Sequence, residues 1–324
     1  MKAGELSCFI SNFHKTMKKI MITAAGGPAG FCLAKYLSGK AYLIGLDSDM
    51  DSPAQFYCNE VHSVPFAVLP NYKEEMLKVI RKTSPDIIIP TFDEDLLFFD
   101  SVRDLIDNFI LLSPFETIHV CDDKRKTANK FKDIAAKTYS LDDAIVPCTY
   151  PLFIKPAIGR GSKTGFKVDN DTDLKYALSQ VKEPFIQEWL QGPEVTADTF
   201  ADLDGRLLGI SPRIRIQTRG GISTKARFIK DVEIEMICTL VHERLKIIGP
   251  ANIQCMKDHG GNWKLLEINP RYSGGLGLSY QAGFDSITPL LTIDSTKKTI
   301  RVEKMSPYYG VTVVRFWEER IAGA

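Results

Sequence analysis

Two stretches in the second half of the chain hold its densest chemistry: Asn252-Ile253-Gln254-Cys255-Met256 and Trp263-Lys264-Leu265-Leu266-Glu267-Ile268-Asn269-Pro270-Arg271. Residues 257–262 separate them and include Gly260-Gly261, a dipeptide suited to a two-residue hairpin turn. A hairpin centred there sets 252 opposite 269 and 254 opposite 267. Strand side chains alternate, so Asn252, Gln254, Glu267 and Asn269 share one face, and Ile253, Cys255, Leu266 and Ile268 the other. One carboxylate among amide oxygens suits a hard cation such as Mg²⁺. Gln254, Glu267 and Asn269 are the candidate ligands, with Glu267 able to bridge two ions. Arg271 follows near the same face. A solvated polar face is the competing reading, but amides in a row beside an acid are unusual for solvation alone.

A second constellation runs from Phe153 to Gly165: Phe-Ile-Lys-Pro-Ala-Ile-Gly-Arg-Gly-Ser-Lys-Thr-Gly. A strand ends at Lys155, and a loop with Gly159, Arg160, Gly161 and Ser162 follows before a strand resumes at Phe166. Glycines let a backbone approach phosphates, and loop N–H groups and hydroxyls wrap them. The spacing is not that of a Walker A loop, which a helix should follow. A nucleotide flap is one reading and a plain hairpin the other. In 211–230, Arg213 and Arg215 alternate with isoleucines, and Lys225 and Arg227 follow a Gly220-Gly221 turn. Such a basic hairpin fits an anionic substrate, or is merely a charged exposed surface. Near the start, Gly26-Gly27-Pro28-Ala29-Gly30 leads from a strand toward a helix, with Asp47 ending the next strand. Anions bind at such turns, but the full G-x-G-x-x-G pattern is missing. A tight turn that binds no dinucleotide is therefore preferred over a small-ligand or NAD site.

The elements that must position these residues fall into two styles. Residues 18–113 alternate strands (20–23, 41–46, 86–90, 109–112) with helices (near 31–37, 72–82, 94–107), the pattern of a parallel sheet covered on both faces. After 120 the pattern changes. Asp122 or Asp123 can cap a helix reaching about 137. Strands are expected at 151–155, 165–168, 184–187, 194–200, 206–210, 212–218, 224–229, 250–256 and 263–269, with helices at 171–180, 231–247 and 275–282. The strands of 300–303 and 311–316 would finish the fold. The lobes are expected to pack closely.

With 324 residues, 44% hydrophobic and 25% charged, the chain has material for about two ordinary globular domains. Its net charge of +1 gives no reason to expect nucleic acid or an anionic membrane as partner. No apolar run approaches the roughly 20 residues of a membrane helix. Residues 1–17 read as a loose N-terminal extension without a secretory signal. Seven cysteines form no C-x-x-C pair and five histidines no H-x-x-x-H, so zinc chemistry and a histidine- or cysteine-driven nucleophile are poorly supported. Free thiols point to a cytoplasmic setting.

In this order, the pieces resemble the ATP-grasp superfamily, closest in look to its carbamoyl-phosphate-synthase-like carboxylate–amine ligases, over about residues 18–300. The resemblance implies an α/β and α+β chain. A Rossmann-like, pre-ATP-grasp lobe (18–115) precedes a two-subdomain ATP-grasp fold (116–300), with its small lobe near 120–188 and its large lobe near 190–300. Residues 301–324 complete it. The resemblance counts Lys124, the lysine ahead of the small lobe, among the nucleotide-binding residues, and makes Lys155 the phosphate holder and 159–165 the flap. Gln187, Glu188, Trp189 and Leu190 become the hinge whose backbone reads adenine, and Glu194 the ribose acid. Gln254, Glu267 and Asn269 would bind Mg²⁺, and Arg271 would steady the transferred phosphate. Arg213 and Lys225 are carried as catalytic-site cations toward an anionic substrate.

The implied cofactors are ATP and one or two Mg²⁺, with Mn²⁺ as a substitute. The implied reaction phosphorylates a small-molecule carboxylate and couples the acyl phosphate to an amine, releasing ADP and phosphate. A homodimer is left open. Position 254 is glutamine where many relatives use an acid, which weakens the case for a second ion. Phosphorylation of bicarbonate or carbamate, with a separate glutaminase as partner, is an alternative, although the chain holds neither a second copy of the unit nor a glutaminase. A non-catalytic nucleotide-binding module is another alternative, and an NAD-dependent oxidoreductase is disfavoured by the glycine pattern.

Overall fold

The computed structural model describes residues 17–141, 150–159, 165–316 and 318–322. Strands β1 (Lys19–Ile22), β2 (Tyr42–Asp47), β3 (Glu60–Ser63), β4 (Ile87–Ile89) and β5 (Phe109–Ile110) form a parallel sheet in the order 3-2-1-4-5. Helices α1 (Pro28–Leu37), α2 (Tyr72–Thr83) and α3 (Asp93–Val102) link them. β1, β2 and β4 are apolar almost throughout because helices cover both faces. β3, with Glu60 and His62 among its four residues, carries too weak an apolar signal to read from sequence. Helix α3 ends at Val102, short of the expected 107, and passes into a single tighter turn, Arg103–Leu105.

Helices α4 (Phe115–Asp122) and α5 (Lys124–Lys130) lead out of this lobe. Asp123, not Asp122, caps α5, accepting the Arg125 N–H. The helix does not continue to 137. Ala136 N–H donates to Leu265 O and Leu265 N–H to Ile134 O, so residues 134–136 run along the exposed edge of the strand at 263–269. Covering that edge wins over further helix.

β6 (Thr138–Tyr139), β7 (Leu152–Pro156), β8 (Phe166–Val168) and β9 (Pro184–Glu188) make a four-stranded antiparallel sheet in the order 6-9-7-8, backed by α6 (Asp171–Gln180). Asn170 caps α6, accepting from Thr172 N–H and Asp173 N–H. The third sheet has six strands: β10 (Glu194–Ala201), β11 (Leu207–Arg219), β12 (Ile222–Phe228), β13 (Gly249–Lys257), β14 (Trp263–Asn269) and β15 (Thr312–Val314), ordered 14-13-10-11-12-15.

β11 is one strand where two were expected. Pro212 does not break it, because its backbone faces the end of β12, where Ile229 N–H donates to Pro212 O. Helix α7 (Val232–Arg244) covers one face of this sheet, packing Ile234, Ile237, Cys238 and Val241 on Val195, Ala197, Ile253, Cys255 and Ile268. Helix α8 (Leu276–Gln281) lies over the other face, near β12.

The strand expected at 300–303 is irregular. The Arg301 N–H and C=O are both bonded to the Thr292 hydroxyl rather than to a neighbouring strand. One continuous core joins the first lobe to the third sheet: Cys32 and Leu33 of α1 cluster with Phe200, Tyr272, Leu276 and Phe284. Among the described residues no helix is long and apolar enough to cross a membrane.

Candidate active site

The hairpin β13–β14 has the expected register where it matters. Asn252 pairs with Asn269, Ile253 with Ile268 and Gln254 with Glu267. Beyond Gln254 the register shifts, because Leu266 is inserted as a bulge and Cys255 pairs with Leu265. Leu265, 2% exposed, therefore takes the core position expected for Leu266. The turn is correspondingly longer than two residues. Asp258 N–H donates to Asn262 O, Asn262 N–H to the Asp258 carboxylate, and Gly261 adopts φ +83°, which a side chain would disfavour.

Cross-strand pairing extends the polar face. Glu267, Gln254, Thr196 and Arg213 form one row, and Asn269, Asn252, Asp198 and Ser211 the next. The intervening residues point the other way, onto α7. The alternation polar-to-cleft, apolar-to-helix is thus built into four adjacent strands. Asn252 and Asn269 are buried, and the Asn269 amide nitrogen approaches Asn252 Oδ1 at 3.4 Å.

Across the cleft stands Lys155 on β7, with its ammonium 5.6 Å from the centre of the Phe185 ring. Burial lowers it from the ordinary lysine value to about 8. The Glu267 charge opposes that shift, Lys124 adds to it, and Glu194 opposes it, so all four groups share one electrostatic neighbourhood. Lys124 Nζ donates to Gly159 O at 2.7 Å, and its backbone N–H to Ala157 O, tying the start of α5 to the chain leaving β7. A crevice between the first lobe and the hairpin is lined by Asp93, Cys121, Lys124, Gly159, Glu267 and Asn269. Arg160, Gly161 and Ser162 lie outside the described residues.

The hinge is fixed from within the small sheet. Gln187 is buried on β9, opposite Phe153 and Thr138. Glu188 N–H donates to Lys137 O, and its carboxylate accepts from Lys137 N–H at 2.7 Å. Trp189 N–H points to Pro151 O, and its indole leans on Phe153. The N–H groups of Glu188 and Trp189 are therefore bonded to the Lys137 and Pro151 carbonyls. Leu190 is buried beside them. The Glu194 carboxylate is ion-paired with Arg215 on the cleft face.

Arg213 and Lys225 depart from expectation. Arg213 is 1% exposed, and its guanidinium meets the Asp198 carboxylate at 2.6 Å, with Ser279 Oγ and Ser273 Oγ as further acceptors. Strand pairing with β10 and the cover of α8 turn the charge inward, into a buried network that holds the turn after Arg271. Gly275 packs so tightly on this guanidinium that a side chain there would collide with it. In β12, Ala226 and Phe228 take the face shared with Arg213, so alternation turns Lys225 to the opposite face.

Arg271 is gripped by the first lobe. Nε donates to Asp93 Oδ1 at 2.6 Å, Nη2 donates to Asp93 Oδ2, and Nη1 donates to Tyr272 O at 3.1 Å. Burial works against its charge, but Asp93 and then Glu267 outweigh burial and raise its pKa further. Asp93, which opens α3 at the carboxyl end of β4, was missed from sequence. The available signal was Thr91-Phe92-Asp93-Glu94-Asp95 directly after a buried parallel strand, where ligands of such sheets gather.

Elsewhere the candidates thin out. The Asp47 carboxylate accepts the Gly26 N–H at 2.7 Å, so the acid that might read a ribose instead braces the glycine turn. Cys32, Cys58, Cys121, Cys238 and Cys255 are free, and burial pushes each thiol above its ordinary value, which disfavours a thiolate nucleophile. Among the described residues no three His, Cys, Asp or Glu side chains converge as a metal cluster. The donor set beside Lys155 is instead one carboxylate with amides. It suits Mg²⁺ that takes its remaining oxygens from phosphates.

Residues 180–316 match the family model described as ATP-grasp in the biosynthetic pathway with Ter operon. The chain is 24% identical over 238 residues to the carbamoyl phosphate synthase large chain of Thermoanaerobacter sp. (strain X514), covering 63% of this chain and 22% of that protein. It is 25% identical over 133 residues to the D-alanine–D-alanine ligase of Francisella tularensis subsp. novicida (strain U112), covering 37% of this chain and 45% of the ligase. The chain thus spans less than half the length of these relatives. The structure of N5-carboxyaminoimidazole synthetase from Staphylococcus aureus complexed with ADP superposes with a TM-score of 0.74 at 16% identity, over 92% of this chain and 82% of that one. Three sheets in this arrangement are the fold that structure shares.

Proposed function

Because the chain belongs to the ATP-grasp superfamily, we propose that it is an ATP- and Mg²⁺-dependent ligase that joins a small carboxylic acid to an amine. The observation that carries this reading is the cross-strand register that sets Gln254 beside Glu267 and Asn252 beside Asn269, facing Lys155 and Lys124.

In the proposed reaction a carboxylate oxygen attacks the γ-phosphorus of ATP. The bond from that phosphorus to the bridging oxygen breaks and ADP leaves. The amine nitrogen then attacks the acyl carbon, the C–O bond to phosphate breaks, and the amine gives up a proton. Neither step needs a protein nucleophile, in keeping with the raised thiol values. The protein's part is positioning and charge. Lys155 and Lys124 hold phosphate oxygens, and Arg271 faces the γ-phosphate. Glu267, Asn269 and Gln254 would hold Mg²⁺, which when bound neutralises phosphate charge. Burial of Asn252 and Asn269 keeps this face rigid.

Glu267→Gln tests the reading, since it removes the single carboxylate of the donor set while preserving shape. ATP turnover should be lost with the melting temperature unchanged. Undiminished turnover in that variant would sink the assignment.

A further inference from the structure

We propose that Asp93 is a positioning residue for Arg271, so that the first lobe supplies part of the phosphate-binding machinery of the third sheet. This rests on the reading of Arg271 as a γ-phosphate-binding residue. A guanidinium has five N–H donors. Asp93 takes two, from Nε and Nη2, along one edge of the fork, and Tyr272 O takes one from Nη1. One N–H remains on Nη1 and one on Nη2. These two are left to meet the oxygens of a phosphate or carboxylate.

Asp93 therefore does not use up the arginine. It fixes the plane of the guanidinium and decides what the remaining donors meet. Asp93 is itself 6% exposed and held at the start of α3, and it lines the same crevice as Lys124, Glu267 and Asn269. The contact spans 178 residues of sequence, so it also registers how the first lobe sits on the site.

The test needs no knowledge of the acid or amine. Calorimetric titration of the whole chain with Mg-ADP, and with Mg²⁺ and the non-hydrolysable β,γ-imido analogue of ATP, gives the ratio of the two dissociation constants. That ratio is the contribution of the γ-phosphate. Asp93→Asn should cut it about tenfold and leave the Mg-ADP constant within about twofold of wild type. Asp93→Glu, which keeps the fork, should restore the ratio to within about threefold.

Arg271→Ala serves as the reference. If the ratio falls there but is unchanged in Asp93→Asn, Asp93 only packs the lobes together and the proposal is overturned. A ratio that rises in Asp93→Asn overturns it in the other direction, because Asp93 would then compete with phosphate for the arginine. A ratio untouched by Arg271→Ala removes the premise about Arg271 and the proposal with it.

Discussion

Arg213→Met separates a structural arginine from a catalytic one. In the structure Arg213 and Asp198 are 1% and 5% exposed, joined at 2.6 and 3.1 Å, with Ser279 and Ser273 accepting further hydrogen bonds. Methionine fills much of the same volume but leaves the Asp198 carboxylate with the Ser279 hydroxyl, at 2.7 Å, as its remaining hydrogen bond of this network. Removing one partner of a buried pair costs about 3–5 kcal/mol, because the other charge stays buried without compensation. For a chain of this size that is a fall in apparent Tm of order 10 °C. Asp198→Leu combined with Arg213→Met removes both charges and should recover most of the loss, since apolar replacements of buried pairs are often neutral. Thermal melts followed by near-ultraviolet circular dichroism, with ATP turnover measured on the same samples, read both effects. A single variant that melts within about 2 °C of wild type yet has lost turnover would refute the structural role and return Arg213 to the substrate.

Lys155→Ala should weaken ATP binding at least about tenfold without changing the fold, measured by calorimetry; unaltered affinity would remove the phosphate role. Because Lys155 is lowered to about 8, its charge is present below that pH and ATP affinity should fall as pH rises through it. Arginine at 155 should flatten that slope. His242 is buried on α7 against Thr199, and burial depresses it to about 4. The unfolded chain takes up the proton first, near pH 6.5. The contribution is therefore full above pH 6.5 and lost as pH falls toward 4, to a total of about 3 kcal/mol. Urea melts should show His242→Gln losing that much less than wild type between pH 7 and 4; equal losses would show that His242 does not titrate as argued.

Alternation and turn chemistry made the parallel lobe and the polar face of the hairpin legible, because both are local. Glu267 does face Gln254 as expected, but only because the bulge at Leu266 offsets a turn one residue out of the expected register. What failed was non-local. The bulge at Leu266 answers to packing against α7, and the early end of α5 answers to the edge of β14 more than 120 residues away. Arg213 reads as an exposed cation in a stretch of alternating charge. Its partner Asp198 lies on a different strand, and α8, which covers both, comes later still. Asp93 was invisible as a partner for Arg271 for the same reason: an acid at the end of a parallel strand announces a site but not which arginine it will meet. The residues that hold their predicted places follow from strand alternation and pairing. The corrected ones depend on side-chain partners and covering helices that alternation does not reveal.

The central claim is that this site transfers the γ-phosphoryl group of ATP to a carboxylate. Product analysis with Mg-ATP and pooled amino acids, small organic acids and amines tests it directly. ADP and inorganic phosphate should appear only when an acid and an amine are both present, and splitting the pools then names them. AMP and pyrophosphate would mean that the carboxylate is adenylated instead, and the mechanism set out here would be wrong.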